Sequence, residues 1–213
     1  DGAVVTAVAA ALAEAGFRGL LIDMSSSHPD DTLKLGKTLA AHGISLIDAP
    51  VSGGVTKAAA GTLMVMAGGG ADDIAAAHAL IDCFGTMQHV GPLGAGHAMK
   101  ALNNYVSAAG LLASMQALAT AESFGITADK FTSVINGSTG RNNTTEVKMM
   151  PFIASRSYDS GFFLRLMAKD VTIASELMTN AGFDAPITPA LNSYLAEALA
   201  TLGYDTDHTR LYE

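Results

Sequence analysis

Apolar and polar residues follow two different regimes along this chain of 213 residues. As far as Gly91, short apolar runs stand between polar or glycine-bearing turns. Residues 20–24, 44–47 and 62–67 read as strands, and 87–90 as a weaker one. Between them lie helical patterns: an alanine-rich stretch over 3–15, a helix opened by Pro29, Asp30 and Asp31, and another from Asp72 to about Ile81. Proline and acids suit the first turn of a helix, where backbone N–H groups lack partners. Beyond Gly91 the strand signals stop. Long helical periods follow over about 95–124, 128–136, 162–181 and 189–202. Strands alternating with helices, then helices alone, predict an α/β domain over 1–91 and an all-α domain over 92–213, with a boundary near Gly91-Pro92.

The segment 96–121 is the most informative helix. Ala, Leu, Val, Met and Gly dominate it, so most of its circumference suits burial. His97, Lys100, Asn104 and Ser107 recur at steps of three, four and three, which puts all four on one stripe. A solvent-facing stripe is normally broad and rich in charge; this one is narrow and carries a single lysine. Two readings follow, an outer face with a solvated lysine or an inner face lining a wet pocket. In the second, desolvation lowers the affinity of Lys100 for its proton and suits it to proton exchange near neutrality.

Composition narrows the classes. A net charge of -8 argues against a nucleic-acid partner, whose phosphates call for a basic face. No stretch reaches the roughly 18 uninterrupted apolar residues of a membrane helix, so no membrane span is expected. The single cysteine, Cys83, excludes an internal disulfide framework and fits a reducing compartment; it reads as a buried thiol, and the expected location is the cytoplasm. The six histidines show no metal-ligand spacing, so no metal site is expected. Met64, Met66, Met99, Met115 and Met167 read as core filling. His97 reads as a helix-start or pocket-edge residue. Arg141, in a polar loop, is either solvated or aimed at a substrate carboxylate.

Ser52-Gly53-Gly54 follows the second strand and offers a hydroxyl with backbone N–H groups free of bulky side chains. Such a turn either binds a carboxylate in an anion concavity or simply needs glycine for its backbone angles. Together with Asp48-Ala49-Pro50-Val51, and continuing to Ala58 and Gly61, it resembles the substrate-binding motif of β-hydroxyacid dehydrogenases. Gly91, Gly94, Gly96, Lys100 and Asn104 match that family's catalytic motif at every defined position. Lys169-Asp170 resembles its late cofactor-contacting motif, with Val171-Thr172 replacing the usual Leu-Gly and Glu176 where aspartate is common. Asp23-Met24-Ser25-Ser26 is similar to its Asp-Met-Ser-Thr segment near the nicotinamide, Ser26 standing for the threonine.

The resemblance covers the whole chain. It implies a Rossmann-type domain, N-terminally incomplete, followed by an all-α domain, the two joined by a long helix. It implies an NAD- or NADP-dependent oxidoreductase that interconverts a short 3-hydroxy acid with its semialdehyde or keto acid. By the same resemblance Lys100 is the general acid/base and Asn104 positions the substrate or the lysine. Ser52, Gly53 and Gly54 bind the carboxylate, and Ser26 and Lys169 touch the cofactor. A homodimer or homotetramer is the expected assembly. The sequence contains no Gly-x-Gly-x-x-Gly, and Gly94-Ala95-Gly96 fails as one because Met99 stands at its last position. The expectation is therefore that the first part of the cofactor domain lies outside this sequence. Two alternatives stand beside this reading. One is an imine reductase-like enzyme, against which Lys100 speaks; the other is a non-catalytic helical dimerisation module.

Overall fold

Pro29 opens a helix because its ring presets φ and its missing N–H has no helical partner at that position. The computed structural model describes residues 2–213 and bears this out. Helix α2 (Pro29–Ala40) begins at Pro29, with His28 Nδ1 accepting from the Asp30 N–H at 3.1 Å and Asp30 and Asp31 in its first turn. It follows α1 (Gly2–Glu14) and strand β1 (Gly19–Asp23). Then come β2 (Ile44–Asp48), β3 (Val51–Ser52), α3 (Gly54–Ala59), β4 (Leu63–Gly68), α4 (Ala71–Ile81) and β5 (Gly85–Gly91). The long helix α5 spans Ala95–Ser123. Beyond it lie α6 (Ala128–Asn136), a π-helix (Thr144–Ala154), α7 (Leu164–Asn180), α8 (Ile187–Leu202) and a 3-10 turn (His208–Tyr212). Two compact units divide the chain within α5, the first ending at Ala101 and the second comprising Leu102–Glu213.

The first unit is a five-stranded mixed sheet with helices on both faces. β1 and β2 pair in parallel from Gly19 opposite Ile44 to Asp23 opposite Asp48, and β4 pairs in parallel with β5. β4 also meets β2 through Asp48 and Gly68, and β3 through Val51 and Ser52, both antiparallel. Successive residues of β2 enter different cores. Leu46 packs with Ala9, Leu35 and Leu39, whereas Ile47 packs with Val65, Ile74, Ala77 and Ile81. Burial on both faces explains why these strands read as continuous apolar runs instead of alternating ones. Ile74, Ala77 and Ile81 take the inward face of α4, so Cys83, two residues past its end, is exposed instead of buried as the composition suggested.

The start of α5 is fastened to this sheet by a buried carboxylate. Asp48, fully buried at the end of β2, accepts from the N–H of Gly94 (Oδ1) and of His97 (Oδ2), each at 2.7 Å. Those donors belong to the first turn, whose N–H groups have no helical partner and whose dipole favours a negative charge. The approach is close enough to require glycine: a Cβ on Gly96 would lie 2.3 Å from the Met66 carbonyl oxygen. The His97 ring, also buried, meets Thr32 Oγ1 through Nδ1 at 2.7 Å and lies 3.8 Å from Asp23. It is a helix-start residue that ties α5 to α2.

In the second unit Ala108, Leu111, Met115 and Leu118, at steps of three and four, present one face of α5 to the core. Met149 and Ile153 of the π-helix, Leu164, Met167 and Val171 of α7, and Leu191 and Leu195 of α8 complete it. Met66, Met115 and Met167 are buried as expected, but Met64 and Met99 are exposed, because each falls on the outward side of its strand or helix. Arg141 is exposed and paired with Glu146 at 3.6 Å, in keeping with a solvated loop arginine. Among the described residues no helix is long and apolar enough to cross a membrane.

The chain end is latched onto this core. Asp207 accepts from Ser160 Oγ, the Gly161 N–H at 2.8 Å and the Thr209 N–H at 2.9 Å. Burial works against its charge, but hydrogen bonds from His208, Thr209 and Ser160 outweigh that and hold its carboxyl well below the usual range. Beside it His208 is buried, with Nδ1 against the Phe162 carbonyl at 3.0 Å, and burial lowers its proton affinity although Asp207 opposes this. Above the ordinary histidine value of about 6.5, the ring is neutral in both folded and unfolded chains. As pH falls below it the unfolded chain takes the proton first, so stability is lost down to the lowered folded value. Asp207 adds a further loss at more acid pH, below the ordinary carboxylate value of about 3.9 and through its depressed folded one. The thermal midpoint is expected to fall as the pH drops below about 6.5, and His208→Asn to flatten that slope. An identical slope in the variant would assign the effect to another group.

Candidate active site

Asn104 stands four residues before Ala108 on α5, where the apolar run of Ala108, Leu111, Met115 and Leu118 gives way to polar side chains. A buried amide there needs partners, since leaving it unpaired costs about 1–3 kcal/mol. It finds one on α7: Asn104 Nδ2 donates to Asp170 Oδ2 at 2.5 Å, with Asn104 7% and Asp170 2% exposed. The other oxygen of the same carboxylate, Oδ1, pairs with the Lys169 ammonium at 3.1 Å. Asn103 Nδ2 donates to Asn104 Oδ1 at 3.1 Å, which orients the amide. One buried carboxylate thus brings together two residues that the sequence reading assigned separately, Asn104 and Lys169. Sequence reasoning gave Asp170 no role of its own. Its signal was present, an acid on the buried face of α7 between Met167 and Val171, but its partner lies on another helix.

The polar stripe of α5 is the inner face of the helix. His97 and Asn104 are buried, Lys100 and Ser107 are half-buried, and the outward positions carry Met99 and Val106, 42% and 66% exposed. This decides against the solvated-face reading. From the π-helix, Lys148 reaches the end of the stripe with Nζ 3.4 Å from Ser107 Oγ. Burial lowers its pKa to about 8, against a partial opposing effect of Asp207.

The remaining assigned residues lie in the first unit. Ser26 is half-buried in the segment after β1, at the carboxyl end of a parallel strand, where sheets of this kind bind ligands. Nearby, the Ser25 N–H donates to Asp23 Oδ1 at 2.9 Å, and the Ser25 and Ser27 hydroxyls lie 2.8 Å apart. Ser52 ends β3, and Gly53 caps and Gly54 begins α3, a short helix that the sequence pattern did not reveal beyond the turn over Ser52-Gly53-Gly54. Gly53 has φ of 141°, and a Cβ there would lie 2.7 Å from Cβ of Lys57, so backbone geometry alone demands glycine.

Comparison with known proteins adds the following. The family model described as NAD-binding of NADP-dependent 3-hydroxyisobutyrate dehydrogenase matches residues 94–213. The one described as NAD binding domain of 6-phosphogluconate dehydrogenase matches residues 1–94. The chain is 35% identical to 2-(hydroxymethyl)glutarate dehydrogenase of Eubacterium barkeri, over 79% of its own length and 56% of the relative's. It is 34% identical to NAD-dependent L-serine dehydrogenase of Pseudomonas aeruginosa, over 79% of its length and 59% of the relative's. It therefore spans little more than half of these curated relatives. Among solved structures, Mycobacterium tuberculosis 3-hydroxyisobutyrate dehydrogenase with L-serine superposes with a TM-score of 0.89 at 30% identity, covering 99% of this chain and 75% of that one.

Proposed function

Because this chain belongs to the β-hydroxyacid dehydrogenase family, with its Rossmann-like NAD-binding domain followed by a helical domain, we propose that the protein interconverts a short 3-hydroxy acid with its semialdehyde or keto acid. NAD or NADP is the cofactor and Lys100 the general acid/base. The observation that carries this reading is the buried Asp170 carboxylate, which grips Asn104 and Lys169 at once. A group so placed has no packing role that an apolar residue would not fill better; it makes sense as the part that fixes two polar side chains for a ligand.

The parts divide as follows in this proposal. The nicotinamide, when bound, takes up or delivers the hydride. In the oxidative direction the neutral Lys100 amine accepts the hydroxyl proton; in the reductive direction the ammonium returns it to the oxygen and offsets the negative charge building there. Asn104, held by Asp170, keeps the reacting oxygen or the lysine in register, which is where orientation contributes to rate. Ser52, Gly53 and Gly54 hold the substrate carboxylate. Ser26 and Lys169 suit the cofactor: half-buried polar groups, one at a strand's carboxyl end and one a cation, match a ribosyl nicotinamide bearing phosphates.

The relatives named above suggest the panel for a test: 3-hydroxyisobutyrate, L-serine and 2-(hydroxymethyl)glutarate, each with NAD and with NADP. The assay uses the purified protein and follows nicotinamide absorbance. Turnover of at least one of these acids is expected. Absence of turnover throughout, with no change in NADH or NADPH fluorescence on adding protein, would remove the assignment.

A further inference from the structure

We infer that Lys148 and Ser107 form an anion subsite next to Asn104, which makes the preferred substrate a 3-hydroxy acid bearing a second, distal carboxylate. This rests on the dehydrogenase reading above, in which Asn104 faces the substrate. Ser107 follows Asn104 by one turn on the same stripe of α5, about 4.5 Å along the axis, and Lys148 meets it from the π-helix with Nζ 3.4 Å from its Oγ. That spacing suits a two-carbon arm ending in a carboxylate.

The alternative is that Lys148 serves only the fold, and its surroundings argue against that. Among the described residues its ammonium forms no salt bridge. The charged groups that face it are Asp207 and His208 of the chain end. Asp207 is already engaged by Ser160, Gly161, Phe162 and Thr209, and its charge only partly offsets the burial of Lys148. His208 is buried in a setting that disfavours its protonation, so it adds no competing cation near neutrality. Other cations of this unit show the contrast: Lys169 pairs with Asp170, Arg165 with Asp205 and Arg210 with Glu213. A half-buried ammonium without a counter-ion is unfavourable, and a ligand carboxylate supplies what the protein does not. Below about pH 8 most of the population remains charged despite the burial.

Two acids of the panel isolate this contact. 2-(Hydroxymethyl)glutarate and 3-hydroxyisobutyrate share the hydroxymethyl carbon and its neighbouring carboxylate; the first carries a carboxyethyl arm where the second has a methyl. The wild-type protein is expected to favour the dicarboxylic acid in kcat/KM. Lys148→Met should lower that value about 30- to 100-fold, mainly through KM, and change the value for 3-hydroxyisobutyrate no more than about twofold. Lys148→Arg should keep most of the preference, which guards against misreading a folding defect. An unaltered ratio in Lys148→Met, an equal loss on both acids, or a wild-type protein indifferent to the second carboxylate would each overturn the subsite and leave the dehydrogenase reading standing. Turnover of neither acid, nor of L-serine, by the wild type would instead remove the dehydrogenase reading and the subsite with it.

Discussion

Lys100→Met is expected to lower kcat by about a thousandfold while the far-ultraviolet circular dichroism stays as in the wild type. The magnitude combines two contributions, proton transfer by a positioned side chain and stabilisation of charge on the reacting oxygen, each commonly worth about 100-fold or more. The effect should fall on kcat more than on KM, since both contributions are felt mainly in the transition state. Methionine keeps the length and apolar stem of lysine, and the half-buried position on α5 tolerates it without a packing defect. Lys100→Arg separates the two contributions. Arginine keeps a positive charge but does not release its proton near neutrality, so it should restore little activity. An arginine variant close to wild type would limit Lys100 to electrostatics, and a methionine variant close to wild type would remove it from the reaction.

The second large effect concerns stability. Asp48→Ala is expected to reduce the unfolding free energy by about 3–5 kcal/mol, read as a lower urea midpoint. Two short hydrogen bonds to a fully buried carboxylate are lost, and the Gly94 and His97 N–H groups are left without an acceptor. Hydrogen bonds to charged groups contribute roughly 1.5–3 kcal/mol each, and a buried donor left unpaired adds to the deficit. Asp48→Asn should fall between the two. Its amide oxygen still accepts one N–H, but its NH₂ group faces the other donor. Because the turn held by Asp48 leads directly into Lys100, the Asn variant should also lose activity before it loses the fold. A loss of unfolding free energy of less than about 0.5 kcal/mol in Asp48→Ala would show that the helix start is held by something else.

The elements carried by strong local patterns were readable without coordinates. The boundaries of α5 and α6 and the start of α2 at Pro29 follow from periodicity and from the end preferences of proline and acids, which act within one or two turns. The short strand β3, the six-residue α3 and the π-helix over Thr144–Ala154 were not read. β3 and α3 are too short to show a period, and the π-helix departs from the α-helical repeat and carries Pro151, which the usual signals treat as a break. Cys83, Met64 and Met99 turned out exposed although their residue types favour burial, because side-chain direction depends on the face an element buries and not on composition.

By itself, then, the order of residues determined the two-part architecture, the long helix and the stripe of Lys100, Asn104 and Ser107, which rest on spacing within a segment, and the family through the resemblance of its motifs. Only the folded chain decided which way that stripe faces, that Asp48 caps the helix, that Asp170 holds Asn104 and Lys169 together, and that Lys148 stands beside Ser107. The contacts of Asp48 with Gly94, of Asp170 with Asn104 and of Lys148 with Ser107 join residues roughly 40 to 70 positions apart. A hydrogen bond between such groups depends on how helices and strands pack, and no local preference in either segment encodes its partner.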